Sequence, residues 1–227
     1  MAIKLTGEDP LLGDHIYQQL REMIFTREIH PGQALSVPKL AGQLNVSRSP
    51  VREAVQQLIN EGLAVHVPYA GARVQKLDAE AVRQVFSVRE VLDGLAARHA
   101  ALIITRERLG ELDVVVSEQR ELLVMPPEGH RDSQLDLRFH SLIRDSANNE
   151  PLRASLARLE ALAHLYSSDM WNLDDNRRVA VEEHERILAA LRAGDQTAAG
   201  DAAEAHVRAV LVRMSRDTLE WMHSPRN

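Results

Sequence analysis

The chain of 227 residues contains no cysteine, so disulfide bonds and thiolate chemistry are excluded. No segment approaches about 18 uninterrupted apolar residues, the length that a transmembrane helix requires. Residues 1–10 are also too polar for a secretory signal peptide. These absences predict a cytoplasmic protein that has no membrane partner. What is present falls into two regions with different patterns of apolar and charged residues.

Residues 36–63 have the pattern of a short helix, a tight turn and a longer helix. Ser36 is a candidate N-cap for the short helix, and Asn45 suits a left-handed position in the turn. The longer helix is expected to begin at Ser47 or Ser49. The region is therefore predicted to be a helix-turn-helix.

The longer helix separates into two faces when its residues are placed at intervals of about 100°. The apolar face consists of Val51, Ala54, Val55 and Leu58. The neighbouring face carries two guanidinium groups, an amide and a hydroxyl near the helix N-terminus. Arginine pairs with guanine edges or phosphates and a helix N-terminus favours anions, so this face suits a DNA major groove. An ordinary helical hairpin with a solvated polar face is the alternative. The predicted DNA contacts on this helix are Ser47, Arg48, Ser49, Arg52 and Gln56.

Residues 63–76 contain two short β-prone runs around a turn with proline and glycine, and a helix-turn-helix followed by such a hairpin is a winged helix. This region resembles the GntR family of bacterial transcription regulators. The resemblance implies a winged helix-turn-helix DNA-binding domain in residues 1–76, and Gly71 and Arg73 of the wing join the predicted DNA contacts. It also implies a homodimer on a palindromic operator in double-stranded DNA. The matching residues are 40–41, 46–54, 58, 61–63 and 71–74.

The charge of the chain is unevenly distributed around this domain. Residues 1–76 contain 8 Lys/Arg and 7 Asp/Glu, whereas the rest of the chain contains 19 and 26, for an overall net charge of −6. The acidic excess therefore lies in the C-terminal two thirds. A nearly neutral DNA-binding domain whose arginines are concentrated on one helix is typical of a dimer that binds a short specific site. It is less typical of a protein that coats DNA.

From Asp78 onward the sequence is rich in alanine, leucine, arginine and glutamate and contains no convincing strand. Short connections imply antiparallel neighbours, so residues 77–227 are predicted to form an all-α bundle. With a further helix at 14–27 in the first domain, the predicted fold class is mostly α, a winged helix-turn-helix followed by a helical bundle. The predicted bundle helices cover about 79–103, 105–124, 130–147, 150–171, 175–193 and 196–219.

Four polar residues lie on otherwise apolar faces of three bundle helices. Asp136 and His140 are four residues apart and share one face, while His184 and His206 lie on the apolar lines of two other helices. A single histidine in such a place is usually a satisfied core residue. Burying all four without partners would be costly, whereas one divalent cation could satisfy them, at about 2.0–2.2 Å per ligand for zinc.

The surroundings of these residues resemble the C-terminal sensor domain called FCD, from the FadR branch of the GntR family. In metal-binding members an aspartate and three histidines at these positions hold the ion, so Asp136, His140, His184 and His206 are the implied ligands. Zinc is the expected ion, with nickel, manganese and iron as alternatives. The matching residues are 89–92, 96–97, 136–140, 142–143, 149, 152, 183–184, 187–191, 194–195 and 205–206.

The FCD resemblance also implies a small organic acid as the effector. Three nitrogens and one oxygen leave one or two positions open on a five- or six-coordinate ion, and a carboxylate can occupy such a position. Arg89 is the candidate for a second, bidentate contact to this carboxylate. The alternative for Arg89 is a salt bridge at the surface or between the domains.

Two classes of function follow from these features. The first is a transcription regulator, expected to be a repressor, whose DNA binding is controlled by a small carboxylate at the metal. The second is a metal-dependent hydrolase or isomerase with an accessory winged-helix module. An enzyme needs a general base or nucleophile beside the metal, and the sequence offers no identifiable one around the four ligands. A non-enzymatic regulator is therefore predicted.

Overall fold

The computed structural model describes the backbone of residues 10–223 and the side chains of residues 12–167 and 170–215. The chain divides into two compact units between Asp78 and Ala79. No helix among the described residues is long and apolar enough to cross a membrane.

The N-terminal unit is a winged helix-turn-helix, as predicted. The hairpin is antiparallel, with Val67 opposite Gly71 next to the turn, and a β-bridge joins Ala34 to Arg73. Its elements are α1 (Pro10–Phe25), α2 (Val37–Leu44), α3 (Arg48–Asn60), β1 (Ala64–Val67) and β2 (Gly71–Val74).

Local backbone chemistry sets the boundaries of these elements. Asn45 adopts φ 54 and ψ 44 after α2, which confirms the predicted left-handed turn. Ser36 is the N-cap residue of α2, as predicted, although its side chain makes no capping hydrogen bond. Helix α1 ends at Phe25, earlier than predicted, and Arg27 beyond it adopts φ 64, which is incompatible with a continuing right-handed helix.

The C-terminal unit is a helical bundle in which α4 packs against four other helices. The predicted helix at 150–171 was too long, because its last turn tightens into a 3₁₀ segment after Ser167. There the carbonyl of Met170 accepts a hydrogen bond from the side chain of Asn176 at 3.1 Å. The elements are α4 (Ala79–Ile103), α5 (Arg106–Leu122), α6 (Gly129–Ser146), α7 (Glu150–Ser167), the 3₁₀ segment (Ser168–Asn172), α8 (Asp174–Ala193) and α9 (Gln196–His223).

Gly94 lies inside α4 at a place where α9 approaches closely. Glycine in a helix interior costs about 1 kcal/mol relative to alanine. A Cβ atom at Gly94 would lie 2.6 Å from Cγ of Glu204, and Glu204 is itself held by Arg98 through an ion pair of 2.7 Å. The packing of α9 on α4 therefore explains why glycine stands here.

We expect Gly94→Ala to lower the free energy of unfolding by about 1 kcal/mol, because overpacking of about 1–3 kcal/mol exceeds the gain in helix propensity. The matched control is Gly110→Ala on α5, where no described atom lies within 4 Å of the added Cβ. That variant should be more stable than wild type by about 0.5–1 kcal/mol. Urea denaturation measures both, and equal stabilisation by the two substitutions would contradict the packing explanation.

Candidate functional site

The polar face of α3 is open to solvent. Its apolar residues Val51, Ala54, Val55 and Leu58 are buried, as the helical wheel predicts. Ser49 donates a hydrogen bond to Glu53 at 3.2 Å and Gln56 donates one to Asn60 at 3.1 Å, both along the same helix. The residues predicted to contact DNA on this helix are all exposed, namely Ser47, Arg48, Ser49, Arg52 and Gln56.

The two wing residues predicted to contact DNA are also exposed. Gly71 begins β2 with φ 77, a conformation that glycine adopts without steric cost. Arg73 donates a hydrogen bond to the carbonyl of Gly32 at 3.1 Å, so one of its terminal nitrogens has a local partner. The side chain is thereby held against the segment that precedes α2.

In the C-terminal unit, the structure brings the four predicted metal ligands together. One donor atom from each of Asp136, His140, His184 and His206 lies within 4.8 Å of the others. Oδ1 of Asp136 lies 3.5 Å from Nε2 of His140 and 3.4 Å from Nε2 of His184. Nε2 of His140 lies 3.1 Å from Nε2 of His206. Donors at about 2.1 Å from one ion are separated by about 3.0–3.4 Å at right or tetrahedral angles, so these spacings suit a shared cation.

Residues behind the cluster orient two of the imidazoles. Nδ1 of His184 lies 2.9 Å from the side-chain oxygen of Gln119, and Nδ1 of His206 lies 2.7 Å from a carboxylate oxygen of Glu183. Arg213 donates two hydrogen bonds of 2.8 Å to the same carboxylate. Because an oxygen acceptor faces each Nδ1, the proton belongs there and the Nε2 lone pairs point into the cluster.

The electrostatic environment also suits a cation. Burial lowers the pKa of His206 to about 3 and lowers the pKa of His184, so both are neutral near pH 7. Burial alone would raise the pKa of Asp136, but His140 and His184 outweigh it and hold that pKa well below its usual range. At His140 burial is outweighed in turn by Asp136, which raises the pKa of the imidazole. The cluster therefore combines an ionised carboxylate, two neutral imidazoles at His184 and His206, and a third imidazole at His140 whose positive charge Asp136 stabilises.

One nitrogen in the cluster is left without a hydrogen-bond partner. Nε2 of His184 is fully buried and has none among the described residues. A buried polar atom in this state is costly unless a ligand or ion occupies the space it faces. Together with the carboxylate and the two other imidazoles, it forms a donor set that could hold a divalent metal ion.

Arg89 is buried on α4 and forms an ion pair within that helix. It is 8% exposed, and its Nε donates to Asp93 at 3.1 Å within α4. Asp93, Glu160 and Asp136 all act on its charge and outweigh burial, so its pKa is raised. The ion pair with Asp93 uses the Nε atom of the guanidinium group. Because Asp136 also acts on the charge of Arg89, this residue remains a candidate to bind an anionic ligand near the cluster.

Sequence reasoning missed most of the residues that support this site. Glu183 belongs to the run that resembles FCD, yet it was given no role there. Gln119 and Arg213 come from other helices, and only tertiary packing brings them to the histidines. The spacing of Arg89 and Asp93, four residues apart on one helix, was a signal that could have identified their ion pair.

Comparison with known sequences identifies both units. Residues 12–74 match the bacterial regulatory proteins of the gntR family, and residues 84–209 match the FCD domain. The second match covers more than half of the chain. The structure resembles that of Escherichia coli McbR/YncC with a TM-score of 0.79 and 19% identity, over 91% of this chain and 98% of the other. That likeness supports the fold.

Individual relatives agree with these matches. A transcriptional regulator from an unstable DNA locus of Streptomyces ambofaciens is 34% identical, over 88% of this chain and 84% of its own length. YdhC of Bacillus subtilis is 28% identical over 84% and 85%, and the repressor RspR of Escherichia coli K12 is 28% identical over 85% and 82%. These relatives are HTH-type transcription regulators, which confirms the predicted regulator over the enzyme alternative. The chain is therefore a DNA-binding transcription regulator that belongs to the GntR family and carries an FCD domain.

Proposed function

We propose that this regulator is a repressor whose DNA binding is controlled by a small organic acid bound at a divalent metal ion. Residues 1–76 bind a palindromic operator as part of a homodimer, and residues 77–227 bind the metal and the acid. The convergence of Asp136, His140, His184 and His206 on one point carries the proposal. The repressor role is supported by the similarity to RspR.

The metal site is proposed from the chemistry of its donors. Nε2 of His184 has no hydrogen-bond partner within the described part of the chain, and Nε2 of His140 and Nε2 of His206 face each other at 3.1 Å. Two imidazole lone pairs at this distance repel unless a proton or a cation lies between them. Zinc is the first candidate because nitrogen and oxygen donors suit it, and nickel, manganese and iron accept the same set.

The effector is proposed to bridge the metal and Arg89. When bound, the ion would supply a Lewis-acidic position for one carboxylate oxygen. Arg89 is buried on α4, and Asp136 acts on its charge. The guanidinium group is therefore proposed to pair with the carboxylate of the effector. An operator-binding titration of metal-loaded protein with small mono- and dicarboxylates tests this control. Operator affinity that no such acid changes would contradict it.

Reading of the operator is assigned to the polar face of α3. We expect Arg52→Ala to lose about 1–3 kcal/mol of specific affinity, roughly 5- to 150-fold, if the guanidinium contacts a base edge. Arg106→Ala, which removes an exposed arginine from α5, is the matched control and should bind like wild type. Fluorescence anisotropy with operator DNA selected by the wild-type protein measures both. Wild-type affinity in both Arg48→Ala and Arg52→Ala would contradict this placement of the reading helix.

The homodimer is proposed to form through an apolar stripe on α4. The stripe consists of Val88, Val91, Leu95 and Leu102, which are exposed at spacings of three, four and seven residues. A second copy of the same stripe would bury it, and a two-fold dimer matches a palindromic operator.

We expect Val91→Asp to shift the protein to monomers and to weaken operator binding, because the valine is 62% exposed at the centre of the stripe. Val114→Asp on α5 is the control, since Val114 is 50% exposed outside the stripe. Light scattering coupled to gel filtration gives the mass of each variant. A dimeric Val91→Asp protein would place the interface elsewhere.

A further inference from the structure

Glu160 is a buried residue of α7 whose two carboxylate oxygens have different surroundings. Its side chain is 2% exposed. Oε2 forms an ion pair with Nη1 of Arg144. Oε1 is buried and has no hydrogen-bond partner among the residues that the structure describes. A carboxylate oxygen that is dry and unpaired is unfavourable, and its presence indicates a missing donor.

The free oxygen belongs to the same polar interior as the proposed metal site. Asp136, His140 and Arg144 are spaced four residues apart on α6, so they form a ladder along one face of that helix. Glu160 lies against the last member of this ladder. Its ionisation is influenced by Asp93 and Arg89, which form the ion pair on α4, and by His140 of the proposed metal site.

We propose that Glu160 is a specificity-determining residue of the effector pocket, whose Oε1 accepts a hydrogen bond from a hydroxyl group of the bound acid. The ligand class is then a hydroxy acid, not a plain carboxylate. This inference rests on the proposed function, because it assumes that an acid occupies the space between the metal and Arg89.

The charges around Glu160 favour a hydroxyl over an amine as the donor. Arg144 pairs with Glu160, and the ion pair of Asp93 and Arg89 on α4 also acts on its charge. An ammonium group would be repelled by Arg144 and by a divalent ion, whereas a neutral hydroxyl would not. A ligand without any donor would leave Oε1 unpaired, and binding sites discriminate strongly against such analogues.

The test compares acids that differ by one hydroxyl group. Zinc-loaded protein is titrated by calorimetry with malate against succinate and with lactate against propionate. Burial raises the pKa of Glu160 to about 7, so the titrations are run at pH 8.5, where the carboxylate is ionised and can only accept. We expect at least one hydroxy acid to bind about tenfold or more tightly than its partner, and a ratio near one in both pairs would overturn the inference.

Two variants on α7 locate the origin of the preference. Glu160→Gln keeps the shape of the side chain but removes its charge, and should reduce the ratio to about threefold or less. Glu150→Gln removes a carboxylate that pairs with Arg153 at 2.6 Å on the exposed side of the same helix, and should leave the ratio unchanged. An undiminished ratio in Glu160→Gln would overturn the role of Glu160.

The titrations of wild-type protein distinguish failure of this inference from failure of the proposed function. If neither acid of either pair binds wild-type protein that holds its zinc, both this inference and the proposed effector control fail. If the two acids of each pair bind with equal affinity, only this inference fails.

Discussion

His184→Ala is expected to abolish stoichiometric metal binding. The imidazole supplies one of the four donor atoms of the cluster and is oriented by Gln119, so its removal leaves only three donors for the ion. Loss of a partner behind a ligand typically weakens metal affinity about 10- to 100-fold, and loss of the ligand itself should exceed that. Elemental analysis of protein purified without chelator is the measurement.

Two further variants provide an intermediate loss of metal affinity and a control for this experiment. Gln119→Ala should show the intermediate loss, about 10- to 100-fold, because it leaves the ligand but frees its orientation. His164→Ala removes a buried histidine that contacts Ser133 outside the cluster, and should retain wild-type metal content. Equal metal content in wild type and His184→Ala would mean that the histidines are satisfied core residues.

Arg89→Lys is expected to lose most of the response to the acid while keeping its metal and its DNA binding. Lysine retains a positive charge beside Asp93 but cannot form the two parallel hydrogen bonds of a guanidinium. Charge-assisted hydrogen bonds contribute about 1.5–3 kcal/mol, so the affinity for the acid should fall about 10- to 150-fold. Anisotropy of labelled operator DNA during titration with acid gives this affinity.

The control for Arg89 lies on the same helix. Arg98→Lys alters an arginine that pairs with Glu204 at 2.7 Å and with Asp201 at 3.0 Å, and should respond to acid like wild type. If Arg89→Lys releases DNA at the same acid concentration as wild type, Arg89 does not contribute to effector binding.

Effector control requires a difference in affinity between two states of the protein. Shifting a population from 1:99 to 99:1 needs about 5.5 kcal/mol of differential binding. An acid that spans the ion and Arg89 would connect α4, which begins directly after Asp78, to α6, α8 and α9. Because half-sites on B-DNA have a fixed separation, a small change in the spacing of the two reading helices would weaken binding.

Features that depend on periodicity could be predicted from the sequence. The alternation of apolar and polar residues on α3 determined which face is buried, and the structure has Val51 inside and Arg52 outside. The four candidate metal ligands could also be predicted from the sequence. Asp136 and His140 share a helix face by their spacing, and the other two histidines lie on apolar stripes.

Features that depend on tertiary contacts could not be predicted in this way. Arg213 reaches Glu183 from a different helix, and no local pattern in the chain indicates that pair. The free oxygen of Glu160 is likewise a property of packing, since only the positions of α6 and α7 determine what its carboxylate meets. The end of α7 was missed because the 3₁₀ turn has nearly the same apolar pattern as an α-helical turn.

One titration tests metal-dependent release most directly. Operator complexes of zinc-loaded and chelated protein are titrated in parallel with the hydroxy acid that binds best. Zinc-loaded protein should release the DNA, and chelated protein should hold it at every acid concentration with unchanged effector-free affinity. Release of DNA by the chelated protein at the same acid concentration would contradict control through the metal. That conclusion would hold even if the untreated protein binds both a metal ion and the operator.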